Sequence, residues 1–420
     1  MRTGRWRRAS DTCATCGSAA QSAYQEGDVA GESFTPVQYE ALPGPRLGIG
    51  VLGYGFMGKV HSNAYLKIPY SFSQPAAYPD LIAMCGRDAA RVADLAARMR
   101  FRGYYTDWQQ MIRDPDIHIL DNCTPDNLHH APSIAAAQAG KHVICEKPLA
   151  MTVREAAEML EAASKAGVKH MTCFNYRFIP AVRLARQLLE RGVLGQVYQF
   201  RGRYLQEPGH DPAAPLEDVW YASGTRSGIL LGIGSHIIDM ARFLVGEIVA
   251  VSGLLRTWNT TRRSRAGATE TVTADEANVA VVEFANGAVG TLESSGVATG
   301  HKNQHTWEIN GSKGSMYWDL EDPNHLYVYS DDLAAELRGF ASVSVTTGAH
   351  PLQVLYLPPG HNAGWEYGHL HALHHFLDCV AYDKPVAPYG ATFEDGYRVQ
   401  VIMDALTRSS QDGRRVTLTY

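Results

Sequence analysis

A loop near the start of the chain has three glycines in the spacing Gly-x-Gly-x-x-Gly. It joins an apolar run at 47–52, which predicts a buried strand, to a segment at 59–67 that predicts a helix. The loop residues are Gly53, Tyr54, Gly55, Phe56, Met57 and Gly58. The first glycine permits a tight turn, the second lets the backbone approach a pyrophosphate, and the third lets helix and strand pack closely. The helix N-terminus then faces the phosphates. The sequence therefore predicts a dinucleotide site and hydride chemistry.

The residues after the second predicted strand, 81–85, bear on the choice between NAD and NADP. An NAD site usually has an acidic residue there, which binds the ribose 2′-hydroxyl. In this chain Gly86 comes first and is followed by Arg87 and Asp88. Gly86 leaves room for a 2′-phosphate that Arg87 would bind, whereas Asp88 would bind a 2′-hydroxyl. Both cofactors stay open, with a slight preference for NADP.

The segments that position this loop alternate between strand and helix patterns, as a doubly wound parallel sheet requires. Further strand patterns lie at 117–123, 142–145 and 170–174, and helix patterns lie at 89–100, 131–139 and 153–166. Gly140 and Gly167 end two of these helices and predict C-terminal caps. We therefore predict a Rossmann dinucleotide-binding domain at 46–174.

Composition and charge narrow the class of protein further. The 420 residues are enough for two domains, and the net charge of −5 gives no reason to expect nucleic acid or an anionic membrane as a partner. No apolar run approaches the roughly 18 residues of a membrane helix. The seven cysteines are scattered and odd in number, which predicts a cytoplasmic location rather than a disulfide framework. Residues 1–45 carry few core-forming side chains and predict a disordered extension.

Three further motifs complete a resemblance to a known family. They are Thr124-Pro125-Asp126-Asn127-Leu128-His129, Lys141-His142-Val143-Ile144-Cys145-Glu146-Lys147-Pro148 and Gly234-Ser235-His236-Ile237-Ile238-Asp239. With the glycine loop, they make the chain from about residue 47 onward resemble the Gfo/Idh/MocA oxidoreductases, the family of glucose–fructose oxidoreductase and inositol dehydrogenase. From Asn175-Tyr176-Arg177 onward it is similar to sugar dehydrogenases of the levoglucosan dehydrogenase type.

The resemblance implies an α/β fold in which the N-terminal Rossmann domain precedes a second α/β domain at 175–420. That domain has a large, mostly antiparallel open sheet, which commonly joins copies into a homodimer or homotetramer. The sequence agrees, because β-rich runs lie at 195–205, 249–257, 277–284, 288–294 and 306–309. Asn286-Gly287 is a strong hairpin turn and Asn310-Gly311 resembles another. Helices at about 368–382 and 393–410 close the chain.

The implied reaction is NAD(P)-dependent hydride transfer between the nicotinamide and a ring hydroxyl or ketone of a sugar or cyclic polyol. Lys147 would contact the reacting hydroxyl beside the nicotinamide, and His236 would be the general base, since an imidazole titrates near neutral pH. Contacts to the cofactor are expected from Gly53, Gly55, Phe56, Met57, Gly58, Arg87, Asp88, Thr124, Pro125, Asn127, His129, Glu146 and Lys147.

The substrate is expected at the junction of the two domains, where Asn175 and Arg177 follow the last Rossmann strand. Arg177 would bind vicinal hydroxyls or a carboxylate, or else form a structural salt bridge between the domains. Asp239 would line the same site and orient the ring of His236, provided that the segment is a helix. Tyr204, Trp220 and Trp365 would be aromatic walls for a sugar ring, or plain core.

One departure from the family pattern leaves other functions open. Many relatives have an aspartate four residues before the histidine, and this chain has Gly232 there. A dehydrogenase remains the main interpretation. One alternative is a glycosidase that retains its NAD and oxidises the sugar only transiently. The other is a sensor that binds a sugar or dinucleotide without catalysis. Mutation of Lys147 and His236 would abolish turnover only if the protein is one of the two enzymes.

Four histidines near the C-terminus have spacing that suggests a metal site: His369, His371, His374 and His375. On a helix, His371 and His375 are one turn apart and would share a metal ion. No nearby carboxylate completes a zinc motif, and the resembling family needs no metal for hydride transfer. We therefore predict that these histidines form a solvated or interfacial helix face and that the protein binds no metal.

Overall fold

The computed structural model describes residues 42, 44–219, 221–222, 228–352 and 357–420. Trp220 and nearly all of the predicted extension at 1–45 lie outside the described residues. From Gly44 to Tyr420 the chain forms one compact unit. Among the described residues, no helix combines the length and the apolar character needed to cross a membrane.

The first half of the chain forms a six-stranded sheet in which all neighbouring strands are parallel. The strands are β1 (Arg46–Leu52), β2 (Tyr78–Cys85), β3 (Gly103–Tyr105), β4 (Ile119–Asn122), β5 (His142–Cys145) and β6 (His170–Thr172). Their order across the sheet is β3-β2-β1-β4-β5-β6. The order therefore reverses between β1 and β4, and such folds bind ligands in the crevice at that point. The Rossmann prediction is confirmed.

Helices cover this sheet, and all but the short one at 108–113 lie where the helical patterns predict them. They are α1 (Phe56–Ser71), α2 (Ala89–Arg98), α3 (Trp108–Arg113), α4 (His130–Gln138) and α5 (Val153–Ala166), with short 3-10 turns at Asp126–Leu128 and Asn175–Phe178. Thr152 caps α5 by accepting a hydrogen bond from the Glu155 amide, and Gly167 ends it at φ +66°. A side-chain cap at one end and a left-handed glycine at the other fix the helix as the sequence indicates.

The second half of the chain forms a nine-stranded sheet and a separate two-stranded ribbon. The strands are β7 (Val197–Leu205), β8 (Ile248–Arg256), β9 (Thr261–Arg263), β10 (Thr269–Thr271), β11 (Ala277–Phe284), β12 (Val289–Ser295), β13 (Gln304–Gly311), β14 (Gly314–Asp319), β15 (His325–Ser330), β16 (Ala341–Ser344) and β17 (Val416–Thr417). The large sheet has the order β16-β15-β14-β13-β7-β12-β11-β8-β17, and only β7 and β12 pair in parallel. The predicted large, mostly antiparallel sheet is confirmed.

In the part of the chain that the structure describes, helices cover one face of the large sheet and leave the other face open. The helices of this half are α6 (Pro180–Glu190), α7 (Ser235–Leu244), α8 (Tyr367–Ala381) and α9 (Phe393–Asp412), with a π-helix at Leu230–Gly234 and 3-10 turns at Leu216–Asp218 and Ala335–Leu337. Of these, α6, α7 and α9 pack on the sheet. Burial alternates along β11 and β12, as expected for strands with one covered face and one exposed face.

Two predictions about the second half need correction, and one needs refinement. The boundary at 174/175 stays a prediction, but two domains with separate cores are too simple a picture, because α8 packs on α1 and contributes Leu370, Leu373 and Phe376 to the first core. The hairpin between β13 and β14 is present, but Asn310 pairs with Ser315 inside it, so Asn310-Gly311 is not its turn. The histidines of α8 are not a solvated face, since packing on α1 buries His369 and His371.

Candidate active site

The glycine loop has the local geometry that a dinucleotide needs. Gly53 has φ +103°, and a Cβ there would lie 2.7 Å from the carbonyl oxygen of Cys123. A Cβ on Gly58 would lie 2.0 Å from the oxygen of Gly53, whereas one on Gly55 would meet nothing within 4 Å. The first turn of α1 has no side-chain cap and no acidic residue. The loop is therefore open in front of free backbone amides, and it fits a pyrophosphate.

The residues after β2 lie at the surface beside this loop. Arg87 is exposed. Asp88 caps α2 by accepting a hydrogen bond from the Arg91 amide at 3.1 Å. A Cβ on Gly86 would lie 2.0 Å from the ring of Tyr54, so Gly86 is required by that close packing. The glycine is therefore explained without a 2′-phosphate, which removes one argument for NADP.

The loop after β4 is held by His129 from the inside. The ring of His129 contacts the carbonyl oxygen of Pro148 through Nδ1 at 2.8 Å and that of Thr124 through Nε2 at 3.0 Å. With both nitrogens occupied, His129 positions this loop, and our prediction of a direct cofactor contact is not supported. Pro125 and Asn127 are exposed on the loop and remain predicted contacts.

Hydrogen bonds hold both the side chain and the backbone of Lys147. Its Nζ donates to the carbonyl oxygen of Gly232 at 2.7 Å, and its backbone amide donates to Glu146 Oε2 at 3.1 Å. Gly232 lies within the π-helix that precedes α7. Such helices are rare and often occur at functional sites. The position at which many relatives have an aspartate thus supplies a backbone oxygen to the lysine.

His236 lies in the first turn of α7 and is almost completely buried. Its Nδ1 has no hydrogen-bond partner in the described part of the chain. Burial, together with the nearby Lys147, His305 and His369, lowers the pKa of His236 well below 6.5. The ring is therefore neutral at neutral pH, which is the form that accepts a proton.

Aromatic side chains surround His236, and their polar atoms form one directed chain. Trp365 Nε1 donates to the Tyr176 hydroxyl at 3.1 Å, which lies 2.8 Å from the Tyr204 hydroxyl. Tyr204 in turn donates to Asn303 Oδ1 at 2.8 Å. The ring centroid of Tyr176 is 4.7 Å from that of His236. Tyr204 and Trp365 therefore lie where the sequence analysis expected aromatic walls, although Tyr204 is buried behind Tyr176.

The glycine loop also meets this aromatic cluster. Phe56, 69% exposed at the start of α1, stacks on Trp365 with ring centroids 5.8 Å apart. Met57 beside it is partly buried. The predicted cofactor loop and a predicted substrate wall are therefore in direct contact, which brings the two halves of the site together.

Arg177 and Asp239 do not line this site in the expected way. Arg177 donates to both carboxylate oxygens of Asp239, at 2.9 and 2.5 Å, and also lies 3.3 Å from Asp395. The side chains of Arg177 and Asp239 are both buried. Asp239 consequently does not orient the ring of His236, and neither residue offers a free group to a substrate. The structure favours a structural salt bridge for Arg177, because a buried guanidinium needs its charge compensated, but its partners lie in the same predicted domain and not across the domain boundary.

Two other predicted site residues, Asn175 and Glu146, have buried side chains. Asn175 is 3% exposed, and its Nδ2 has no partner in the described part of the chain, so it remains a predicted substrate ligand. The carboxylate of Glu146 is buried against His61 and the Lys147 amide. Its side chain is thus occupied inside the protein and does not support the predicted contact with the cofactor.

The histidines of α8 do not form the metal pair that their spacing suggests. His371 Nδ1 lies 3.2 Å from the carbonyl oxygen of Phe178, and His375 Nε2 lies 2.9 Å from that of Val386. The ligand atoms of His61, Glu146, Cys173 and His369 do lie within 4.8 Å of one another, as do those of His61, Asp121 and Cys123. No sequence motif pointed to these clusters, since their members come from different elements.

Sequence reasoning also missed Tyr176, Asn303 and His305 as parts of the site. Tyr176 stands inside a quoted motif, so its position after β6 was a usable signal. His305 stacks on Tyr204 at 4.9 Å, and neither of its ring nitrogens has a partner among the described residues. Asn303 and His305 precede or begin a strand far along the chain, and no local pattern distinguishes them.

Comparison with known proteins agrees with this arrangement. Residues 47–174 match the "Oxidoreductase family, NAD-binding Rossmann fold", and residues 186–418 match the "Oxidoreductase family, C-terminal alpha/beta domain". Levoglucosan dehydrogenase from Pseudarthrobacter phenanthrenivorans is 39% identical over 379 residues, which cover 87% of this chain and 96% of that protein. Myo-inositol 2-dehydrogenase from Thermotoga maritima is 30% identical over 275 residues, 64% of this chain and 75% of that protein.

A solved structure shows the same fold over nearly the whole length. Levoglucosan dehydrogenase in complex with NADH and L-sorbose matches with a TM-score of 0.85 at 39% identity, covering 89% of this chain and 99% of that one. Both domains of the family are therefore present in the expected order, and the motif resemblance is confirmed. The chain belongs to the Gfo/Idh/MocA family of oxidoreductases, with an NAD-binding Rossmann fold followed by the family's C-terminal α/β domain.

Proposed function

We propose that this protein is a dehydrogenase that oxidises a ring hydroxyl of a sugar or cyclic polyol, with Lys147 and His236 at the reacting group. The observation that carries the proposal is the pairing of these two side chains. Lys147 is anchored on Gly232 at 2.7 Å, and it is close enough to His236 to help lower the pKa of that ring. A cation and a neutral base at the edge of a dinucleotide-binding sheet are the two groups that alcohol oxidation needs.

The residues of the chain divide the work at the hydroxyl. A bound nicotinamide supplies the hydride acceptor, and the glycine loop holds its pyrophosphate. The ammonium of Lys147 binds the substrate oxygen and stabilises the negative charge that develops there. The neutral imidazole of His236 takes the hydroxyl proton. Because His236 is desolvated among aromatic rings, water is excluded from the proton transfer.

Gly232 is compatible with this mechanism. In the absence of a carboxylate at this position, its carbonyl oxygen still binds the lysine and orients the Nζ atom. A neutral acceptor leaves the lysine charge uncompensated, which favours an anionic oxygen beside it. This supports catalysis over the sensor alternative, because the lysine keeps a defined orientation.

The substrate class follows from the lining of the site and from the relatives. Trp365, Tyr176 and Tyr204 offer apolar faces with polar edges, which suits a sugar ring. The relatives named above act on levoglucosan and myo-inositol, and one was solved with L-sorbose. We propose anhydrosugars, glycosides and cyclic polyols as the substrates to test first.

We propose NAD as the physiological cofactor. The solved relative holds NADH, and close packing against Tyr54 accounts for Gly86 without a 2′-phosphate. Asp88 places a carboxylate after β2, where a 2′-hydroxyl is bound in NAD enzymes. The exposed Arg87 would remain a solvent-facing charge. This proposal replaces the slight preference for NADP that Arg87 suggested.

We also propose a homodimer or homotetramer that forms through the open face of the large sheet, in the cytoplasm. That face has a groove with a volume of about 890 Å³, lined by Leu254, Val279 and Val281 together with charged residues of both signs. The three apolar residues are between 47% and 53% exposed. Light scattering should give two or four chains for the wild type and single chains for Val281→Lys. The buried free thiols of the described cysteines fit a reducing compartment.

A turnover assay tests the proposed function. Purified protein is mixed with NAD or NADP and with levoglucosan, methyl glucosides, free monosaccharides or inositols, and the absorbance of the reduced nicotinamide is followed. We expect reduction of NAD with at least one of these classes, and weaker reduction of NADP. Tight NAD binding without reduction by any of them would contradict the dehydrogenase. Product analysis of the glycoside reactions would then separate a glycosidase from a sensor.

A further inference from the structure

A chain of charged side chains runs through the interior of the Rossmann domain toward Lys147. His61, on α1, lies between two carboxylates: its Nδ1 is 2.9 Å from Asp121 Oδ2 and its Nε2 is 3.1 Å from Glu146 Oε1. The three side chains are at most 5% exposed. We call Asp121, His61 and Glu146 the buried bridge. They come from α1 and from the ends of β4 and β5.

The geometry favours a charged imidazole. The Nδ1 of His61 is hydrogen-bonded to Asp121, and its Nε2 makes an ion-pair contact with Glu146 Oε1 outside hydrogen-bond geometry, so carboxylate oxygens lie within 3.1 Å of both ring nitrogens. Burial is the largest single influence and opposes this charge, but the raising influences, of which Asp121 is the largest, together outweigh it and raise the pKa of His61 well above 6.5. Burial would also raise the pKa of Glu146, yet the hydrogen bond and charge of His61 lower it to about 2. His61 is therefore a cation and Glu146 an anion.

The other groups that face His61 are neutral. They are Tyr65 on α1, Cys123 and Cys173 directly after β4 and β6, and His369 on α8. Burial raises the pKa of the tyrosine and of both thiols, and it lowers the pKa of His369 to about 3. Among these neighbours, the charged groups that face His61 are therefore the two carboxylates of the bridge.

The same neighbourhood has the spacing of a metal site, but the bridge explains it better. A metal ion would need Nε2 of His61, and that atom already faces Glu146. It would also need the thiolate of Cys173, whose pKa burial raises to about 12. A proton on His61 satisfies the same carboxylate without deprotonating a thiol.

Glu146 connects the bridge to Lys147. Its Oε1 faces His61 and its Oε2 accepts the backbone amide of Lys147 at 3.1 Å. Its own amide donates to the carbonyl oxygen of Asn122 at 2.9 Å. Without His61, the Glu146 carboxylate would be a buried charge lacking its cation, and it would take up a proton or turn toward water. Either change alters the hydrogen bond that fixes the start of Lys147.

We propose that His61 is a positioning residue for the dehydrogenase: through Glu146 it fixes the backbone of Lys147 and so determines where the ammonium meets the substrate hydroxyl. The kinetic part of this proposal rests on the proposed function. Lys147 is then held at its backbone by the bridge and at its Nζ by Gly232. A displacement of about 1 Å at the reacting group is enough to lower a rate roughly 100-fold.

Two variants of His61 separate its contacts. In His61→Asn the amide nitrogen replaces Nδ1 and keeps a donor for Asp121, whereas in His61→Gln it replaces Nε2 and keeps a donor for Glu146. We expect kcat to fall roughly 100-fold in His61→Asn, with the KM for NAD unchanged, and to recover in large part in His61→Gln. His371→Asn is the matched control, since it is equally buried but touches neither Glu146 nor Lys147. Its kcat should equal that of the wild type.

A cycle with Glu146→Gln tests whether the effect passes through the carboxylate. If it does, His61→Asn should add no further loss of kcat in the Glu146→Gln background. Equal losses of kcat in His61→Asn and His61→Gln, or a similar loss in His371→Asn, would show a structural role only and would overturn the proposal.

Nuclear magnetic resonance of ¹⁵N-labelled protein gives a readout that needs no substrate. At pH 8 both ring nitrogens of His61 should be protonated, and the backbone amide signal of Lys147 should shift in His61→Asn but not in His371→Asn. A neutral His61, an unmoved Lys147 amide or one tightly bound metal ion per chain would overturn the proposal. If the wild type oxidises no sugar, the proposed function fails, and these signals still decide whether the bridge holds Lys147.

Discussion

Two buried histidines on either side of Lys147 differ in charge: His61 is a cation and His236 is neutral. His61 lies between the carboxylates of Asp121 and Glu146, and its pKa is raised well above 6.5. His236 is just as buried, but its neighbours are aromatic rings and the lysine itself, and its pKa is lowered well below 6.5. Burial opposes the charge in both, so the difference comes from the partners. The site therefore keeps a fixed cation behind the lysine and a free base in front of it.

Lys147 belongs to both regions, so its removal should have the largest effect. In Lys147→Met the hydroxyl loses its cation while the aliphatic stem remains. We expect kcat/KM for the sugar to fall roughly 1000-fold. Steady-state kinetics and NAD binding by fluorescence check this, with the exposed Lys165→Met as the matched control. If Lys147→Met keeps its activity, the lysine is not at the reacting group.

Replacing His236 should have the next largest effect on the rate. We expect His236→Asn to lower kcat roughly 100-fold, since the remaining amide cannot take a proton. Because the pKa of His236 is lowered, the wild-type rate should not fall through its protonation between pH 8 and 6.5. Rate–pH profiles of the wild type and of the exposed control His210→Asn check this. A wild-type rate that halves near pH 6.5, absent in His236→Asn, would show an ordinary, solvated histidine.

The two histidines should also have opposite effects on stability as the pH changes. The raised pKa of His61 contributes stability that is fully present below pH 6.5 and is lost as the pH rises through the folded-state pKa. The lowered pKa of His236 contributes stability that is present above pH 6.5 and is lost as the pH falls. In urea unfolding, the deficit of His61→Gln should therefore shrink with rising pH, and that of His236→Asn should shrink with falling pH. Changes on the order of 1 kcal/mol are expected, and parallel slopes would remove the contrast.

The hydroxyl chain behind His236 should matter least. Tyr176→Phe removes the group that accepts from Trp365 and donates to Tyr204, which costs about 1 kcal/mol. We expect a KM for the sugar that rises about fivefold, in keeping with that energy, and a kcat close to that of the wild type. The exposed Tyr198→Phe is the control. A large loss of kcat would instead place the Tyr176 hydroxyl in the proton transfer.

Local sequence signals were sufficient to predict those parts of the site that come from a single short segment of the chain. The glycine loop lies between β1 and α1 as predicted, and the parallel sheet follows from the alternation of patterns. Lys147 and His236 were chosen because they stand inside short motifs. Such features are read from neighbours in sequence, where spacing and conformation are directly linked.

The missed features depend on contacts between distant elements. His61 and Asp121 are 60 residues apart, and nothing near either one shows that they meet. The histidines of α8 have the pattern of a polar face, but α8 returns to the first core and buries them against α1. Asp239 stands three residues after His236 and yet pairs with Arg177, 62 residues away along the chain. The hydrogen bond from Lys147 to the carbonyl oxygen of Gly232 could not be predicted either, because Gly232 lies in a π-helix that no sequence pattern indicated.

The most direct test of hydride transfer to the cofactor uses levoglucosan deuterated at every ring carbon. The wild-type protein is incubated with NAD, and the reduced nicotinamide is analysed by mass spectrometry alongside the product of Lys147→Met. We predict that one deuterium per turnover moves from the sugar to the nicotinamide in the wild type, and that almost none moves in the variant. Sugar conversion without deuterated NADH, or with deuterium released to water, would contradict the account.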